Sequence, residues 1–128
     1  MMTITKVVDN LPKLKQAMTQ LNAQYVDVGY LDASQMLKED VIINELGDPF
    51  LNIPGTHFFS AGVDESLDKV TQVMRSDLKS ILMNKLSTER TLSKVGEIVD
   101  KTITQVGEDR NVPSHILNGI EYEVKQNK

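Results

Sequence analysis

The chain has 128 residues, 40% of them hydrophobic and 25% charged, which fits one folded core and excludes a disordered chain. A net charge of −4 with no Lys/Arg cluster argues against nucleic-acid binding as the main task, because counterion release needs a basic face. Cysteine is absent, which excludes disulfides, thiolate metal sites and a thiol nucleophile.

The opening residues MMTITKVVDNLPK lack the apolar centre of a secretory leader. No apolar run approaches the roughly 18–20 residues that cross a bilayer, so a soluble protein without a membrane partner is expected. Residues 3–8 are β-branched and read as a short strand or an ordered lead-in. Asp9 or Asn10 can cap a helix in which Leu11, Leu14, Ala17, Met18 and Leu21 form one apolar stripe. Pro12 fits its first turn, where the missing N–H had no partner to lose.

Residues 25–31 (YVDVGYL) alternate and are rich in strand formers, with Val26, Val28 and Tyr30 sharing a face. Gly29 within that run predicts a bulge or a close neighbour. Asp32 or Ser34 can cap a second helix carrying Met36, Leu37, Val41, Ile42, Ile43 and Leu46, with Gly47 as its left-handed stop. The VII run leaves a strand over residues 40–44 as the alternative.

Residues 44–59 read NELGDPFLNIPGTHFF and hold all three Phe of the chain together with two Pro and two Gly. Connections are normally polar, because an apolar one must bury backbone groups or expose hydrophobic surface. This apolar loop, spanning residues 47–60, is therefore either a plug in the core or a docking surface for another subunit.

Asp64 and Glu65 then open a long helix through Leu86, with an acidic first turn that the helix dipole favours. Its expected stripe is Leu67, Val70, Met74, Leu78, Ile81 and Leu82, read as core-facing. Ser87 or Thr88 caps the next helix, whose stripe runs from Leu92 through Val95, Val99 and Ile103 to Val106 and stops at Gly107. Pro113 can begin a short helical turn through Leu117, and Asn118-Gly119 marks a turn. Residues 120–125 (IEYEVK) alternate strictly and form a terminal strand whose natural partner is the strand at 25–31. The predicted fold is a single α+β domain over residues 1–128, a small mostly antiparallel sheet packed with long helices.

Chemistry is sparse. Only two histidines occur, and His57 is read as a structural or contact residue in preference to a ligand. No HExxH, HxH, DxDxDG, GxGxxG, GxxxxGK[ST] or GxSxG pattern is present, so neither a cofactor, a metal site nor an enzyme is expected. Adjacent acids such as Glu39-Asp40 diverge by about 100° on a helix and cannot share a substrate.

Several short motifs, in order, resemble the neck and tail-completion proteins of tailed bacteriophages. These are Val28-Gly29-Tyr30-Leu31, then Asn44-Glu45-Leu46-Gly47, then Ile53-Pro54-Gly55-Thr56-His57-Phe58, a long helix, and the closing HILNGIEYEV. The likeness covers residues 25–124. Departures are Leu46 where the family has Phe, Thr56 where it has Arg and His57 where it has Pro. Any clamp made by the family's Arg is therefore in doubt.

The resemblance implies a non-enzymatic virion protein at the head–tail junction or upper tail, assembled in the host cytoplasm. It implies a ring of identical subunits, six-fold as first expectation and twelve-fold as the alternative, touching neighbouring neck or tail proteins. Genomic DNA would pass through the channel only as cargo. Expected subunit-contact residues are Glu45, Phe50, Ile53, Pro54, His57, Phe58 and Phe59. The alternative, from another class, is a small soluble adaptor that binds one protein through a helical face.

Overall fold

The computed structural model describes residues 24–83 and 85–126. The strand or lead-in expected at 3–8 and the helix expected from Asp9 or Asn10 lie outside the described residues. Among those described, the elements run β1 (Gln24–Gly29), α1 (Gln35–Leu46), β2 (Gly47–Asp48), β3 (Ile53–Pro54), α2 (Phe58–Leu82), α3 (Thr88–Asp109), α4 (Ser114–Leu117) and β4 (Glu121–Gln126). The fold is α+β, as the alternation of helical and strand periods predicts.

β1 and β4 pair antiparallel, with Val26 opposite Val124 and Val28 opposite Tyr122. The two-residue period sends those four side chains to one face, and that face packs on α3. Gly96 of α3 makes room for the Tyr122 ring, since a Cβ there would lie 2.6 Å from Tyr122 Cδ2. On the other face Asp27 sits directly opposite Glu123, a repulsive pairing. The diagonal Lys125 relieves it through a 3.0 Å ion pair to Asp27.

α2 and α3 form an antiparallel hairpin, and their crossing is set by a glycine. A Cβ at Gly62 would lie 2.5 Å from Ile103 Cα, so the helices approach backbone to side chain. At the far end of the hairpin the Asp77 carboxylate accepts from Thr91 Oγ1 at 2.9 Å and from Lys94 Nζ at 3.1 Å. The Lys94 ammonium in particular, with the Thr91 hydroxyl, holds the Asp77 carboxyl below its ordinary pKa against the opposing effect of burial.

Ser87 caps α3 by accepting from Arg90 N–H at 3.1 Å, and Ser34 caps α1 by accepting from Leu37 N–H at 3.2 Å. Both caps agree with the sequence. α3 runs on past Gly107 to Asp109. Gly107 is no stop signal but a seat: a Cβ there would collide with Leu117.

The core joins Phe58, Ile103, Val112, Ile116, Leu117 and Ile120, with Val28, Tyr30, Leu37, Val41, Phe59 and Val99 packed around it. The Tyr30 hydroxyl donates to the Ile116 carbonyl at 2.9 Å, tying β1 to α4. Burial and the nearby Asp100 and Glu45 carboxylates raise the Tyr30 pKa, so it stays a neutral donor.

Several expectations are corrected here. α2 begins at Phe58, not Asp64, and ends at Leu82, not Leu86, where Met83 closes the helix onto Lys79 and Lys85 reaches back to Ser80. Of its expected stripe only Ile81 is buried, while Leu67 and Leu78 are exposed. The inward face is carried instead by Phe58, Gly62, Ser66 and Ile81. α1 buries none of its residues completely; Leu37 and Val41 face inward, and Met36, Ile42 and Leu46 face outward.

Candidate functional site: the hairpin between α1 and α2

The stretch expected as an apolar loop, plug or docking surface, is a braced unit. α1 ends at Leu46, and Gly47 follows with φ of 79° and ψ of −179°, a combination that glycine alone tolerates. β2 and β3 then pair Gly47 with Pro54 and Asp48 with Ile53, closing a small hairpin. A Cβ at Gly47 would strike the Ile53 carbonyl, and one at Gly55 would lie 2.6 Å from the Glu45 carbonyl. The two glycines of the motif therefore let two backbone segments touch.

The turn itself is ordered by Asp48. Its carboxylate accepts from Phe50 N–H at 3.0 Å and its carbonyl from Leu51 N–H at 3.2 Å, an Asx-type turn. Asn52 takes the left-handed φ of 54° that completes the reversal. This local geometry points the largest side chains outward. Phe50 is 96% exposed and Leu51 67%.

The root of the unit is fastened from three directions. Thr56 donates to the Asn44 carbonyl through N–H at 2.7 Å and through Oγ1 at 2.8 Å. His57 N–H donates to the Glu45 carbonyl at 3.1 Å. From the end of α3, Arg110 Nη1 donates to the Thr56 carbonyl at 2.6 Å. Thr56 thus clamps the hairpin root to both α1 and α3.

Glu45 supplies the cap that α2 lacks locally. His57, at the N-cap position, has a left-handed φ of 52° and offers no side-chain bond. The Glu45 carboxylate, reaching from the last turn of α1, instead accepts from Phe59 N–H at 2.9 Å, Ser60 N–H at 3.2 Å and Ser60 Oγ at 2.6 Å. These bonds satisfy orphan donors at the positive end of the α2 dipole. Burial raises the Glu45 pKa, but the bonds from Ser60 and Phe59 and the nearby His57 outweigh it and leave the carboxyl below its ordinary value.

A group whose folded pKa is depressed stabilises the fold fully above its unfolded pKa, about 4.3 for Glu. That contribution is lost as pH falls through the lower folded value. Glu45→Gln should therefore flatten the acid limb of stability at pH values below the unfolded Glu pKa. At neutral pH it should speed hydrogen exchange at the Phe59 and Ser60 amides. Unchanged exchange at both amides would mean that the carboxylate is not the cap.

The expected contact residues separate into two groups. Phe50, Ile53 and Pro54 stand on the surface, and His57 is exposed as well. Phe58 is corrected: it is 0% exposed at the centre of the core and can touch no neighbouring subunit. Phe59 is half-buried, its ring 6.2 Å from that of Tyr30 and edge-on to Phe58 at 6.3 Å. Glu45 acts within the chain.

Leu51, and Met36, Ile42 and Leu46 on the outer side of α1, are exposed too, although they are absent from the expected contact residues. Apolar residues occur all round this helix, and periodicity alone does not tell its inward face from its outward one. Beside the hairpin root, Gly29, Tyr30, Val41, Ile42, Leu46 and Phe59 line an apolar groove of about 290 Å³. Among the described residues no group of His, Asp and Glu could hold a metal ion, and no helix is long and apolar enough to cross a membrane. No family model, curated protein or solved structure matches the chain.

Proposed function

We propose that this chain is a non-enzymatic structural subunit of a tailed-phage neck or upper tail, assembling into a ring that completes the tail or joins it to the head connector. One observation carries the assembly part of this reading. A braced hairpin leaves Phe50 almost wholly in water, with no cover from the other described residues. The order of motifs supports the phage part. Glu45 and Gly47, which carry the resemblance, act in one brace with Gly55 and Thr56 rather than as scattered matches. Neighbouring neck and tail proteins are the further partners of this reading, with DNA as cargo.

Immunogold electron microscopy of virions, free heads and free tails tests it. Label should fall at the head–tail junction and on one of the two free parts. Absence of label from partly disassembled particles, with the protein left in the soluble fraction, removes the virion role. The adaptor reading draws support from the exposed outer face of α1, with Met36 at 75% and Ile42 at 55%. It requires a soluble one-to-one complex with a different protein.

A further inference from the structure

Asn118 is the only asparagine of the chain that a glycine follows, and the pair lies on the seam between α4 and β4. Such a pair carries both partners of an intramolecular reaction. The Gly119 backbone nitrogen is a nucleophile with no side chain to shield it, and the Asn118 side-chain amide carbon is its electrophile. Asn118 is exposed, so water has access to it and ammonia can leave.

In the folded chain the two groups are kept from reacting. Ring closure needs the Gly119 nitrogen turned toward Cβ about the Asn118 Cα–C bond, within about 3–3.5 Å of the side-chain carbon. Asn118 instead has φ of −70° and ψ of −14°, the helical range, which turns that nitrogen out of the required position. The Gly119 N–H donates to the Ile116 carbonyl at 3.2 Å. Its neighbours are bonded as well, Asn118 N–H to the Ser114 carbonyl at 2.8 Å and Ile120 N–H to the Leu117 carbonyl at 3.3 Å.

The residues that follow block the rotation. A Cβ at Gly119 would lie 2.8 Å from Leu37 Cδ2 and 3.2 Å from Tyr30 Cδ1, so this backbone is closely packed. Ile120 belongs to the core, and Glu121 opens β4 opposite Gly29. Swinging Asn118 to the reactive angle would therefore pull Ile120 out of the core and β4 off β1.

We propose that Asn118-Gly119 is a self-modification site that the closed fold protects and that reacts when β4 detaches from β1. The Gly119 nitrogen then bonds to the Asn118 side-chain carbon, and its proton leaves with the amide nitrogen as ammonia. The cyclic succinimide takes up one water at either of its carbonyls. Opening at the side-chain carbonyl leaves aspartate in an ordinary main chain. Opening at the main-chain carbonyl leaves isoaspartate, with one extra carbon in the main chain. Water is the sole co-reactant and ammonia the sole leaving group.

The isoaspartyl product does not fit the closed seam. Its extra carbon falls between Leu117 and Ile120, both fixed in the core. β4 cannot absorb it by slipping along β1, because a one-residue slip would turn Val124 outward and Glu123 toward α3. A transient opening is thus made lasting. This site is separate from the α1–α2 hairpin and does not depend on the ring reading.

The test incubates the full chain at neutral pH, folded in buffer and unfolded in guanidinium chloride. Conversion at position 118 is followed by peptide mass spectrometry and isoaspartyl methyltransferase labelling. It should be at least about tenfold slower in the folded protein, since a gated reaction tracks the population of the open form. Val124→Ala, which weakens the β1–β4 pair away from the reacting atoms, should raise the folded rate and leave the unfolded rate unchanged. Should that variant not fold, Lys125→Ala, which removes the ion pair to Asp27, serves the same comparison. The purified isoaspartyl product should exchange its β4 amides faster than the starting protein.

Equal rates in buffer and denaturant, or a folded rate that weakening β4 leaves unchanged, overturns the gate. No conversion in denaturant overturns the site itself. Unaltered β4 exchange in the product overturns the effect on the seam.

Discussion

Phe58→Ala should cost about 3–5 kcal/mol of stability, whereas Phe50→Ala should stay within about 0.5 kcal/mol of the unaltered protein. The two aromatics lie in the same short stretch, yet one is 0% and the other 96% exposed. Phe58 fills the centre of the core against Ile103, Ile116 and Leu117, and its removal leaves a cavity that three elements would have to collapse into. A drop in melting temperature on the order of 10–20 °C follows for a chain of this size. Phe50 gives up almost no protein contact on truncation, so the same scan should show no shift. If the proposed ring forms, the loss of Phe50 should be read in association instead, as a fall in the oligomer fraction by sedimentation. If Phe50→Ala lowers the melting temperature as much as Phe58→Ala does, the hairpin tip is part of the fold and not a docking element.

The second large effect is expected at Gly47. An alanine there must adopt φ of 79° with an extended ψ, which costs about 1–3 kcal/mol, and its methyl group would meet the Ile53 carbonyl. Forcing those atoms apart adds about 1–3 kcal/mol, because the obstruction is backbone and not a flexible side-chain end. The strain also bears on position. Shifting Gly55 away from Glu45 would loosen the bonds that set the entry of α2. Urea titration of Gly47→Ala should show a lower midpoint at unchanged slope. A midpoint equal to that of the unaltered protein would mean that the hairpin root relaxes freely, and the argument for a rigid projection would fall with it.

The two predictions share a physical basis. The short segment between α1 and α2 is braced at its root and exposed at its tip. Glu45 and Gly47 at one end, with Gly55 and Thr56 at the other, hold the root. Asp48 and Asn52 shape the tip. A charge placed at Phe50 is cheap for the fold, whereas one at Phe58 would be buried in the core without a partner.

Much of this architecture was written locally in the sequence. The alternation in residues 25–31 and 120–125, with strand-forming side chains, determined both long strands and their pairing, because a two-residue period with one apolar face needs a partner and a cover. Ser34 and Ser87, each one of two caps the sequence offered, start two helices, since a serine cap acts within three residues of itself. Gly47 marked the end of α1 because few other residues accept its backbone angles.

Other features were decided only by the tertiary structure. α2 starts at Phe58 because a carboxylate on a different helix caps it, a bond that no local pattern reveals. Gly62, Gly96 and Gly107 lie where another element presses in, which periodicity does not register. Phe50 went to solvent and Phe58 to the core because the Asp48 turn reverses the chain between them. Hydrophobicity says that a side chain gains by leaving water; which element is there to cover it is settled only when the whole chain has folded.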